Sequence, residues 1–185
     1  MADVLFGSAS PCGKLPFTVP RATGDLPPFS DYGMRGRTYR FAEKEPLYPF
    51  GFGLAYGKVS YEGIELGRSK LSANDSLTVK VGVRYDSDFD FDHSEVVECY
   101  VVPPRDWPEA PKATLVGFEK AALEKGGTVE VKFKLSADAF LQIDACGRKV
   151  AHPGKYGIVV GSCSPGERGV MLGAPKSVEA FVEIV

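Results

Sequence analysis

The sequence is poor in the residues that carry most catalytic chemistry. Of 185 residues only two are histidine, His93 and His152, and one is tryptophan, Trp107. Nothing in the chain assembles a catalytic triad or a metal site around either histidine, and His152, just before Pro153-Gly154, reads as a turn residue. The four cysteines, Cys12, Cys99, Cys146 and Cys163, form no C-x-x-C pair, which argues against a zinc or redox site. Cys99 lies in a strand-like run and reads as a small buried hydrophobe. Cys146 and Cys163 fall in turn-like segments and would pair only if the fold brought them together. Basic excess is missing too: the net charge of -2 argues against a nucleic-acid partner. No apolar run approaches the roughly 20 residues of a membrane span. The start, MADVLFGSASPCGK, has neither the charged beginning nor the long apolar stretch of a signal peptide, so the chain reads as soluble with its compartment left open. No segment holds a 3.6-residue apolar period for more than two turns, which excludes a helical fold.

What is present divides near residue 57. Residues 1–56 hold seven of the fourteen prolines and ten of the twenty-one aromatics. Prolines at that density break regular elements, yet the aromatics must be buried. This part is expected to be an irregular arm ordered by lying on a surface. Residues 2–6 look like the tail of a helix stopped by Gly7, and residues 14–19 like one short strand. From residue 58 the pattern changes to period-2 alternation. Leu77, Val79, Val81, Val83 and Tyr85 alternate with polar positions, as do Val129, Val131, Phe133 and Leu135. Weaker alternation occurs at 59–66, 95–102, 115–123, 140–144, 156–161 and 178–185. Turn signals separate these runs at Asn74-Asp75, Gly126-Gly127, Cys146-Gly147, Pro153-Gly154 and Pro165-Gly166. Seven or eight short strands so spaced predict an all-β fold, an antiparallel immunoglobulin/fibronectin type III-like β-sandwich over 57–185, with a closed barrel as the alternative.

Several stretches carry candidate chemistry. Asp86, Asp88, Asp90 and Asp92 precede His93 and Glu95. Oxygen clusters bind calcium, but the glycine and glutamate of an EF-hand loop are absent, so a solvated acidic loop is the simpler expectation. Ser30-Asp31-Tyr32 resembles the motif around a glycosidase nucleophile, but it follows Pro27-Pro28 in the arm without a rigid scaffold. Gly161-Ser162-Cys163-Ser164-Pro165 resembles a nucleophile elbow without its second glycine, and a plain turn with no following helix is expected. Trp107, in a proline-stiffened loop, either stacks on a sugar or partner surface or folds back over one edge of the sandwich. No cofactor is implied.

The order of motifs carries a family likeness. The arm reads Ala2-Asp3-Val4-Leu5-Phe6-Gly7, Pro11-Cys12-Gly13-Lys14-Leu15-Pro16-Phe17-Thr18, Tyr32-Gly33-Met34-Arg35, Gly36-Arg37-Thr38-Tyr39-Arg40-Phe41 and Leu47-Tyr48-Pro49-Phe50-Gly51-Phe52-Gly53-Leu54-Ala55-Tyr56. It closely resembles the C-terminal part of glycoside hydrolase family 3 enzymes, the β-glucosidase and β-xylosidase group. Glu95-Val96-Val97-Glu98-Cys99-Tyr100, Leu115-Val116-Gly117-Phe118-Glu119-Lys120 and Pro153-Gly154-Lys155-Tyr156 look like that family's fibronectin type III-like domain. Cys12 stands where a serine is usual, and the acidic run replaces a short turn. The resemblance implies a nucleophile on an N-terminal barrel and an acid/base carboxylate on an α/β domain, both upstream of Met1. No catalytic residue therefore transfers to this chain, which is expected to be inactive alone, whether made artificially, as a split subunit or as a truncated product. The expected partners are the missing barrel and α/β domains, in cis or as a separate chain, with self-association through the arm as a further expectation. Tyr39, Phe41, Tyr48, Phe50, Phe52 and Tyr56 are expected to fill a seam whose facing surface belongs mostly to that missing body. The role implied is a non-catalytic stabilising module. The alternatives are polysaccharide or partner binding through the Trp107 loop, or an assembly domain.

Overall fold

The computed structural model describes every residue except Ala73, Asn74, Pro108 and Ala145, so the turn expected at Asn74 lies outside the described residues. Among the described residues, ten strands follow one another from residue 58 onward. One sheet holds β1 (Lys58–Leu66), β3 (Leu77–Asp86) and β6 (Thr128–Leu135) in the order β1-β3-β6. A second holds β2 (Lys70–Leu71), β4 (His93–Val102), β5 (Thr114–Leu123), β9 (Gly154–Gly161) and β10 (Val178–Ile184) in the order β2-β10-β9-β4-β5. A small hairpin of β7 (Gln142–Ile143) and β8 (Lys149–Val150) stands apart. All neighbours run antiparallel except β2 and β10. The fold is the all-β sandwich that the alternation predicts.

The alternating side chains build the core. Val79, Val81, Val83 and Tyr85 of β3 face Val97, Cys99 and Val101 of β4 and Tyr156, Ile158 and Val160 of β9, all buried. The partners Thr78, Lys80 and Arg84 point to the other side, and β6 sets Thr128, Glu130, Lys132 and Lys134 against them in register. Strand β4 departs from this pattern, since Val97 to Val101 are buried without interruption. A strand buried continuously has both faces covered. The second cover is the arm.

Two expected strands do not form as such. In 140–144, Ala137–Phe140 makes a 3-10 turn that drops Phe140 into the core against Tyr156, and only Gln142–Ile143 is extended. The run then ends because the Asp144 carboxylate accepts the backbone N–H groups of Cys146 and Arg148, an Asx-type turn that alternation cannot reveal. In 14–19, Pro16 and the following Pro20 limit pairing to a single bridge between Val19 and Tyr48. The helix tail does form, as α1 (Ala2–Leu5), with Gly7 at φ +74 just beyond it. A further short helix, α2 (Thr38–Phe41), lies within the arm.

Candidate functional site

The densest polar chemistry lies where the arm crosses β4. Residues 47–56 run over the outer face of β4 and β9, held by hydrogen bonds at intervals. Gly51 N–H donates to Leu15 O at 2.8 Å, Leu15 N–H to Phe52 O at 3.0 Å, and Ser164 N–H to Phe50 O at 2.9 Å. Lys112 N–H donates to Arg40 O at 2.7 Å, and the Arg168 guanidinium to Leu47 O at 3.2 Å. Apolar contacts fill the space between. Tyr39 packs at a tilt on Phe50 at 4.8 Å and edge-on to Tyr100 at 5.8 Å, above Val159 and Ala113. Phe52 is buried with Cys163 and Ala174 and stacks on Tyr48. Tyr56 donates its hydroxyl to Val4 O, and Phe41 lies under the Arg40 guanidinium. The surface beneath Tyr39 and Phe50 thus belongs to this chain's own sheet, and that beneath Phe52 to the segment after β9, where the sequence reading assigned most of it to a missing body.

Two glutamates are enclosed in this seam. Glu95 is 2% exposed; its Oε1 receives Lys14 Nζ at 2.8 Å and the Tyr61 hydroxyl at 3.1 Å, and its Oε2 lies 3.4 Å from His93 Nε2. Burial pushes the Glu95 carboxyl up, but His93, Lys14 and Tyr61 outweigh it and hold the group below its ordinary value. Glu98 is 4% exposed and accepts only the Tyr100 hydroxyl among the described hydrogen bonds. Burial raises its carboxyl to about 7. The Gly51 backbone closes over it: a Cβ at Gly51 would lie 2.2 Å from Glu98 Oε2, and φ there is +79°. Only glycine allows so close an approach.

Carboxyls shifted in opposite directions are the electrostatic pattern of a catalytic acid and base. Here Glu95 and Glu98 lie close enough to act on each other's charge, but they do not line one cleft. A cleft of about 420 Å³ is lined by Lys14, Gly53, Lys58, Tyr61, Glu95 and Lys176, and Glu98 takes no part in it. Glycoside hydrolysis needs both carboxyls on one bond, about 5–10 Å apart across it, and this arrangement does not supply that.

The other candidates fall elsewhere. Asp86 ends β3 and pairs with Arg84 at 2.8 Å, and Asp88, Asp90 and Asp92 are exposed in the irregular loop that leads to β4. Among the described residues no group of three or more His, Cys, Asp or Glu is placed to hold a metal ion. Sequence reasoning missed the phenylalanines in this loop. Phe89 and Phe91 stack on each other at 5.3 Å and pack at a tilt on Tyr56 at 5.7 and 6.4 Å, and their every-second-residue spacing was the available signal. Asp31 is exposed and accepts Gly33 N–H within a turn. After β9 a helix does follow, α3 (Glu167–Met171), contrary to the plain turn expected there. Even so, Cys163 is buried against Gly169, and burial raises its thiol to about 11, which keeps it neutral and unreactive. All four cysteines are free; Cys146 is exposed and Cys163 buried, so the two do not pair.

Trp107 is half-buried, stacked on His152 at 4.9 Å, and borders a cleft of about 520 Å³ with Arg40, Phe41, Glu109 and Gln142. The Trp107→Ala variant is expected to lose about 1 kcal/mol by urea unfolding, the scale of an aromatic pair. Its retention on insoluble xylan or cellulose is expected to match the parent's. Binding by the parent alone would make the indole a sugar platform.

Comparison with known proteins agrees with this anatomy. The model of the glycosyl hydrolase family 3 C-terminal domain matches residues 1–56, and that of the fibronectin type III-like domain matches residues 95–164. The chain belongs to the C-terminal region of glycoside hydrolase family 3. A xylan 1,4-beta-xylosidase of Xylanibacter ruminicola is 35% identical over 89% of this family 3 chain and 18% of its own length. A beta-glucosidase of Rhizobium radiobacter is 35% identical over 86% of the chain and 21% of its own length. Among solved structures, a β-glucosidase from Erythrobacter marinus superposes with a TM-score of 0.78 at 32% identity, covering 100% of the chain and 23% of that protein. A beta-glucosidase from Listeria innocua in complex with glucose gives 0.77 at 28% identity, covering 99% and 25%. The family 3 chain spans about a fifth of the length of the curated relatives it matches. No helix among the described residues is long and apolar enough to cross a membrane.

Proposed function

We propose that this chain is the non-catalytic C-terminal stabilising module of a family 3 β-glycosidase, with residues 1–56 as the strap and 57–185 as the sandwich that anchors it. The observation that carries this reading is the seam: Phe50, Phe52 and the buried Lys14–Glu95 pair fasten the arm to β4, β9 and the segment after β9. In the relatives this segment lies inside a much longer enzyme. A strap so fastened transmits the rigidity of the sandwich to whatever precedes it. Exposed apolar side chains elsewhere in the arm support the same reading. Phe6 is 86% and Phe29 95% exposed, and Leu5 and Tyr32 are exposed as well. Apolar side chains gathered in one segment mark a surface that buries against a partner, here the barrel and α/β domains.

The purified chain is expected to show no turnover of nitrophenyl β-glucoside or β-xyloside above buffer. Robust hydrolysis that co-purifies with the chain would refute the proposal. Light scattering distinguishes a partner surface from one closed on itself. Concentration-dependent dimers that dissociate when Phe6 and Phe29 are both replaced by serine fit the proposal. A strict monomer whose solubility is unchanged by those replacements counts against it.

A further inference from the structure

We propose that Glu98 is a proton-operated latch: in its neutral form it lets the strip Phe50–Gly51–Phe52 close on the outer face of β4, and in its ionised form it loosens that strip. The latch concerns the closing of the strip itself and stands whether or not the chain serves a glycosidase.

The geometry is that of a carboxyl sealed without a counter-ion. The Gly51 backbone forms its lid, as the absence of room for a Cβ shows. The groups facing Glu98 can be named element by element. From its own strand come Glu95 and Tyr100, the first of like charge and the second its hydrogen-bond donor. From β1 comes Tyr61, whose hydroxyl is donated to Glu95, and from the arm come Lys14 and the Tyr39 ring that packs on Tyr100. The turn after β9 brings Cys163, whose thiol is neutral. On the neighbouring strands its register partners are Phe118 of β5 and Gly161 of β9, neither charged. The nearby cation, Lys14, is already engaged by Glu95 at 2.8 Å. Ionising Glu98 in the closed state therefore places a charge in a dry seam with one hydroxyl for a partner. Burial without a paired cation disfavours the charged form.

The sign follows from linkage. The folded value, about 7, lies above the ordinary glutamate value of 4.5. The neutral group's contribution is thus fully present below about 4.5, fades between about 4.5 and about 7, and is gone above that. Opening of the strip is expected to rise by up to about tenfold per pH unit across that window and then level off. Glu95 works in the opposite direction. Its value is lowered, so its contribution is lost only as the solution becomes more acid than the ordinary carboxyl range. The strip is therefore held most firmly in the mildly acidic interval between the two titrations.

The test is amide hydrogen exchange on the full chain, read at Gly51 and Ser164, whose N–H groups bond Leu15 O and Phe50 O. After correction for intrinsic exchange rates, protection at these two amides is expected to fall between pH 4.5 and 7, while amides of β3 stay level. In Glu98→Gln, which keeps shape but not charge, that fall is expected to vanish. A flat profile in the parent, or an unchanged slope in Glu98→Gln, overturns the proposal. Should the glutamine variant not fold, carboxyl-carbon NMR of the parent decides: a midpoint for Glu98 well above the other glutamates supports the latch, and one among them overturns it.

Discussion

Replacing Lys14 by methionine is expected to lower the stability of the folded chain by about 3–5 kcal/mol, the usual consequence of leaving one half of a buried ion pair alone. The Lys14 side chain is 12% exposed and that of Glu95 3%, so little solvent is at hand to replace the lost ammonium. The Lys14 methylenes also lie against Gly53, which a methionine would largely preserve, so the effect isolates the charge. Urea unfolding at pH 7 measures it, and pH adds a second readout. In the parent, Glu95 contributes stability above the ordinary carboxyl range and loses it on acidification, because its folded value is lowered. Without Lys14 that acid-side loss should shrink. Adding Glu95→Gln to Lys14→Met should recover part of the deficit, since a neutral amide tolerates burial better than an unpaired carboxylate. A single variant within 1 kcal/mol of the parent would mean that the pair is hydrated in solution and does not fasten the arm.

Gly51→Val should be comparably damaging, for steric reasons. Its φ of +79° disfavours any side chain, by about 1–2 kcal/mol. Its Cβ would fall 2.2 to 2.7 Å from the Glu98 carboxylate, a clash that forces the strip outward. Overpacking of this kind adds about 1–3 kcal/mol, for a total of about 2–5 kcal/mol. The two parts can be separated. Glu98→Ala in the valine background removes the clash but leaves the backbone strain, so the double variant should be more stable than the sum of the singles implies. Strict additivity would mean that the strip does not press on Glu98. Near-UV circular dichroism of Tyr39 and Tyr100 would show whether the strip has lifted while the sandwich persists.

The sandwich was legible in the sequence because water on one side and core on the other impose a period of two. Leu77 to Tyr85 and Val131 to Leu135 carry that period cleanly. The seam was only half legible. The aromatics at Tyr39, Phe50 and Phe52 announced that something must cover them, but not what. The answer lay in β4, where Val97-Glu98-Cys99-Tyr100-Val101 breaks alternation and is buried on both faces. Glu98 inside that run, with Glu95 just before it, was a sign that charge had been enclosed. Lys14, far away in sequence, gave no local hint of being the partner, since long-range pairing leaves no periodic trace. The phenylalanines of the acidic loop were hidden by their neighbours: four aspartates drew the reading toward ligands, while Phe89 and Phe91 anchor the loop on Tyr56.

The hydrogen bond from Arg168 to Leu47 joins residues 121 positions apart. Leu47 is thus made long before the turn that receives it exists. At about 5–20 residues per second, the strip would wait on the order of ten seconds before β9 and α3 emerge to complete its seat. For that interval Phe50 and Phe52 have no surface of their own to rest on. Contacts of such separation also form late in the search for the native state. The strap is therefore the first part of this chain to be synthesised and among the last to find its place, which makes it the segment most exposed to chaperones and to aggregation while the protein is being born.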